Sequence, residues 1–76
     1  MNDFEKALQY VRENVNEIEV SLAIDKMDKW RCPLAQANCS LADRIYDLME
    51  EYGEDNDLPE GWWLDDGDLD DIIFEL

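Results

Sequence analysis

The stretch SLADRIYDLMEEYG, residues 40–53, decides the fold class. Leu41, Ile45, Leu48 and Tyr52 recur at steps of four, three and four, which stacks them on one face of a helix. Asp43, Asp47, Glu50, Glu51 and Glu54 fall opposite, as a line of carboxylates. This spacing predicts a helix that closes a core on one side and presents negative charge on the other. Ser40 followed three residues later by Asp43 has the form of a capping box, and Gly53 suits a left-handed helix end.

Upstream, Phe4, Leu8, Val11, Val15, Ile18 and Leu22 repeat at four, three, four, three and four, the spacing of a coiled-coil seam. Asn2 or Asp3 caps this first helix, with Asp3 and Glu5 against the positive end of its dipole. Near residue 19 the apolar set changes to Val20, Ala23, Ile24, Met27 and Trp30, on a face rotated from the first. A long helix buried on two sides and a break near Ser21 both account for this, and an alternating strand through Ile18, Val20 and Leu22 is the third reading. Pro33 disfavours helix at Cys32, so the element ends there, and PLAQANC is a connector. Downstream, residues 54–61 form a polar loop. Asp68 then caps a short final helix carrying Leu69, Ile72, Ile73 and Leu76, for which a strand over 72–74 is the alternative.

The expectation is therefore an all-α domain spanning residues 1–76, a small bundle of three to four helices at about 3–17, 21–31, 40–53 and 68–75. Phe4, Leu8, Val11, Val15, Ile18, Leu41, Ile45, Leu48 and Tyr52 make its core, and Trp30, Ile72 and Ile73 close the ends. A chain of 76 residues buries only about 60% of the surface its unfolded form exposes, so the core is thin. At 46% hydrophobic residues it still has enough to fold.

Charge is distributed unevenly. Residues 1–44 hold eight acids and all six bases, whereas residues 45–76 hold thirteen acids and no base, within a net charge of −15. Phosphate contacts require clustered Lys and Arg, so direct nucleic-acid binding is excluded, and an anionic membrane surface with it. No apolar run approaches the ~20 residues that span a bilayer, and with only Cys32 and Cys39 present a reduced, cytoplasmic protein is expected.

Catalysis is not expected. The chain has no His, which removes the commonest general base, and neither thiol has an activating partner. No glycine-rich phosphate loop occurs among Gly53, Gly61 and Gly67, and no cofactor is implied. The acidic run also fails as a calcium loop. Placing Gly67 at the invariant glycine sets Trp62 and Leu64 at ligand positions, while placing Glu75 at the terminal ligand sets Leu69 at the glycine. No metal site is predicted.

What remains is the acid. Carboxylates one helical turn apart sit about 6 Å from each other, close to the separation of neighbouring phosphates along a nucleic-acid strand. Asp43, Asp47, Glu50, Glu51 and Glu54, extended by Asp65, Asp66, Asp68, Asp70 and Asp71, are the predicted contacts for a basic protein partner. Trp62 and Trp63 complete the set: either one plugs the core while the other lies flat on the surface, or one is exposed and anchors a partner. The sharpest form of this reading is a nucleic-acid mimic that inhibits a DNA- or RNA-binding protein, as phage or mobile-element inhibitors of the anti-restriction or anti-CRISPR type do. The alternative is a structural or self-associating helical protein, a homodimer through the seam over residues 4–22, whose acidic surface only confers solubility.

Overall fold

Two asparagines reset the N-terminal helix. The computed structural model of the chain describes residues 2–76, and in it α1 spans Asp3–Asn14, capped by the Asn2 side chain accepting from the Glu5 N–H at 2.9 Å. The Asn14 side-chain amide donates back to the Tyr10 carbonyl at 2.8 Å, Val15 is extended, and Asn16 caps the next helix by accepting from Ile18 and Glu19 N–H. Short polar side chains offer the backbone partners that compete with a continuing helix. The first helix therefore ends at 14 rather than 17, and α2 spans Glu17–Trp30 rather than starting at Ser21.

The regular seam over residues 4–22 is consequently not one surface. Leu8 and Val11 are buried, but Ile18 is 71% and Leu22 60% exposed, turned to solvent by the break. Trp30, expected to close the core, is 68% exposed as well. The inward face of α2 is Val20, Ala23 and Met27. Arg31 ends the helix in the left-handed conformation, φ 51°, with its N–H donating to the Met27 carbonyl.

The connector contains one helical turn, α3, at Leu34–Ala37. Pro33 has no side-chain cap to offer, and Asp70 supplies one from the far end of the chain by accepting from the Leu34 N–H at 2.8 Å. Asn38 caps α4, Cys39–Asp55, by accepting from the Leu41 N–H at 3.0 Å, so the cap lies two residues before Ser40. Gly53 lies inside this helix rather than ending it. The final helix, α5 at Leu69–Glu75, has the expected Asp68 cap, and Asp71 returns the bond to complete a capping box.

The described residues form an all-α bundle without strands. α1 packs chiefly on α4, α3 bridges α2 and α4, and α5 touches α2, α3 and α4. One continuous core gathers Val11, Leu34, Leu41, Ile45, Met49, Trp63, Ile72 and Ile73, all fully buried. Phe4, Val15 and Tyr52 pack at its edge. Long-range hydrogen bonds fasten the ends: Arg12 donates to the Glu75 carbonyl at 2.8 Å, and the Tyr52 hydroxyl donates to Asp3 at 3.2 Å.

Residues 56–68 carry no helix yet are tightly held. Trp63 enters the core, and its indole N–H donates to Glu50 Oε1 at 3.0 Å. The same oxygen accepts from the Gly61 backbone N–H at 2.9 Å. Trp62 lies half-buried on α4, donating to the Met49 carbonyl at 3.1 Å and stacking at a tilt on Tyr52 with centroids 5.6 Å apart. The approach is so close that a Cβ on Gly53 would meet two indole atoms at 2.6 Å. Glycine is needed at 53 for this contact and not for a left-handed turn.

Candidate functional site

The outer face of α4 and the loop that folds back beside it enclose a shallow groove of about 410 Å³. Asp47, Glu50 and Glu54 line it from the helix, Leu58 and Glu60 from the loop, and Tyr46 from its edge. The helix places its carboxylates there because the apolar stripe is claimed by the core, leaving the opposite side to solvent. A second groove of about 280 Å³ continues past Tyr46 along Leu64, Asp68 and Asp70. Tyr46 thus stands between two acidic depressions, held edge-on against Trp63 with centroids 5.4 Å apart and planes at 74°.

The predicted acids divide into two groups by what they touch. Asp43, Asp47, Glu51 and Glu54 are exposed on α4, and Asp65 and Asp66 are exposed in the turn before α5. Glu50 is half-buried and committed to Gly61 and Trp63. Asp68 and Asp71 close the capping box of α5, and Asp70 caps α3. One line of like charges in the sequence is thus part exposed surface and part scaffold. The two indoles take the first of their two readings, Trp63 buried in the core and Trp62 laid half-buried against α4 with its N–H donating to the Met49 carbonyl.

Tyr46, Leu58, Glu60 and Leu64 belong to the surface and were not predicted from sequence. Tyr46 sits at the border of the apolar stripe and Asp47 beside it, a position that helical angle alone shows. Leu64, Leu58 and Glu60 give no such signal, because their placement follows from the path of the loop.

Electrostatics on the flank of α4 are visible in two phenols. Partial burial, and then the Glu51 carboxylate with Asp55 beyond it, hold the Tyr10 phenol above the ordinary tyrosine value. Partial burial and the hydrogen bond to Asp3 do the same to Tyr52. The sole salt bridge among the described residues joins Arg44 to Glu19 at 3.3 Å, where Glu19 also accepts from the Asn38 amide. None of the thirteen carboxylates in residues 45–76 has a basic side chain within salt-bridge distance.

Both thiols are free, Cys39 exposed and Cys32 half-buried. Among the described residues no three acidic or thiol groups converge to hold a metal ion, and no helix is long and apolar enough to cross a membrane. No protein-family model, curated protein or solved structure matches the chain.

Proposed function

We propose that the protein is a non-catalytic binding domain whose acidic grooves receive Lys and Arg side chains of a basic protein. The observation that carries this reading is the unpaired acid: thirteen carboxylates with no basic side chain in salt-bridge distance among the described residues, grouped along α4 and the segments folded onto it. Unpaired like charge costs stability through self-repulsion, and a cationic surface offsets that cost. Tyr46 and Leu64 add the apolar contact that charge alone lacks, with the Tyr46 face open to a guanidinium or ammonium.

In its sharpest form the partner is a DNA- or RNA-binding protein. Asp43, Asp47, Glu51 and Glu54 then stand in for successive phosphates and occupy the groove that nucleic acid would fill. Such an inhibitor, of anti-restriction or anti-CRISPR type, releases counterions as nucleic acid does, so its affinity falls steeply with salt.

The test uses the exposed acids only, because changing Glu50, Asp68, Asp70 or Asp71 would disturb the scaffold. Immobilised wild type and an Asp47→Lys/Glu54→Lys/Glu60→Lys variant, matched for fold by circular dichroism, are exposed to host lysate. The reading expects basic nucleic-acid-binding proteins on the wild type, eluted by salt and by duplex DNA, and none on the variant. Equal capture by both, or retention through high salt, overturns it.

A further inference from the structure

Among the described residues, α2 leaves large apolar side chains exposed on its outward face, in the half of the chain that is near charge balance. Ile18, Leu22 and Trp30 stand exposed on it, on a helix whose four acids, Glu17, Glu19, Asp25 and Asp28, are set against two bases, Lys26 and Lys29. A groove of about 410 Å³ runs along it beside Ala37 of α3. The Lys29 ammonium lies over the Trp30 ring, 5.4 Å from its centroid.

We propose that this face pairs with a second copy of itself, the two α2 helices running antiparallel about a two-fold axis near Ile24. Three features select this occupant. The first is the order of charge. Glu17 and Glu19, the latter also paired with Arg44, lie toward the N-terminal end of the helix and Lys26 and Lys29 toward the C-terminal end, so antiparallel pairing brings opposite signs to the same height, and the two-fold repeats each contact. The second is the order of apolar groups. Ile18 of one copy comes beside Lys29 and Trp30 of the other, and Leu22 beside the aliphatic stem of Lys26, which covers apolar surface while its ammonium stays wet. The third is repulsion. Two molecules of net charge −15 approach at less cost through α2, with four acids and two bases, than through residues 45–76, with thirteen acids and no base, which are carried outward on both. Both acidic surfaces then remain free.

This surface keeps only Ile18 and Leu22 of the seam over residues 4–22, whose Leu8 and Val11 are used inside the core. A face of 14 residues is about 21 Å long, below the extent of a standard interface, so the pairing is weak and concentration-dependent. It also strengthens with salt, because screening removes more repulsion between the copies than attraction within the contact. That dependence is opposite to the one expected of the acidic grooves, so the two proposals fail separately.

Sedimentation of the full chain over a concentration series, at low and high salt, should show a monomer–dimer equilibrium that salt shifts toward dimer. Leu22→Glu, at an exposed position, should remain monomeric at every concentration with unchanged helical circular dichroism. For the register, Ile18→Cys and Lys29→Cys are each made in a Cys32→Ser/Cys39→Ser background. Mixed together under oxidised glutathione they should cross-link, and Ile18→Cys alone should not. A monomer throughout the series, a Leu22→Glu dimer, or faster cross-linking of Ile18→Cys to itself overturns the proposal.

Discussion

Replacing Gly53 by alanine separates local helix propensity from tertiary contact. Gly53 lies within α4, where alanine is favoured over glycine by about 1 kcal/mol in an isolated helix. A Cβ at this position would stand 2.6 Å from both Cδ1 and Nε1 of Trp62. These atoms belong to a rigid ring, so the indole must move as a whole. Moving it breaks the Nε1 bond to the Met49 carbonyl, worth about 1 kcal/mol, and the contact with Tyr52, worth about 0.5–1.5 kcal/mol. Strain in the repacked site adds about 1–3 kcal/mol. Set against the propensity gain, Gly53→Ala destabilises by about 1.5–4.5 kcal/mol. In urea, at a slope near 1 kcal/mol per M, the midpoint falls by about 1.5–4.5 M. The control is the same change in a Trp62→Ala background, where the obstruction is gone and alanine should stabilise by about 0.5–1 kcal/mol. Stabilisation by Gly53→Ala in the wild type, or the same sign in both backgrounds, would refute the reasoning.

Two further predictions concern the acid and the phenols. Glu50→Ala leaves the buried Trp63 indole N–H and the Gly61 N–H without their acceptor, so thermal or urea unfolding should show a loss of about 1–3 kcal/mol. Asp47→Ala, one turn away and exposed, should stay within about 0.5 kcal/mol of wild type, and equal effects would mean that Glu50 has no scaffold role. Because Tyr10 and Tyr52 are raised above the ordinary tyrosine value, the folded chain holds these protons more tightly than the unfolded one. Their contribution is complete below about pH 10 and is lost as pH rises through the higher folded values. An ultraviolet titration should show Tyr10 and Tyr52 ionising above the ordinary tyrosine value, and ionisation of these two at that value would contradict it.

Much of the fold is legible in short-range pattern. The stripe of Leu41, Ile45, Leu48 and Tyr52 locates α4, and Asp68 with Leu69, Ile72 and Ile73 locates α5, since capping and helical period are both properties of neighbouring residues. The N-terminal seam misleads for a related reason. Its period continues through Val15, but Asn14 and Asn16 satisfy the backbone ends more locally than another turn would, and Ile18 and Leu22 then face water. Position 34 shows the limit more plainly, because Leu34 is capped by Asp70, 36 residues away.

For the candidate site, the sequence by itself determined the charge: a balanced N-terminal half, thirteen acids after residue 44, and a helix that must turn its carboxylates outward once its stripe is buried. Only the tertiary structure decided which acids are free, which indole is buried and what lies beside Tyr46. Glu50 and Asp47 are chemically equivalent as sequence, and they differ because the loop returns over one and not the other. Helical period is written in residues three and four apart, whereas a hydrogen bond from Trp63 back to Glu50 depends on the path of the whole segment between them.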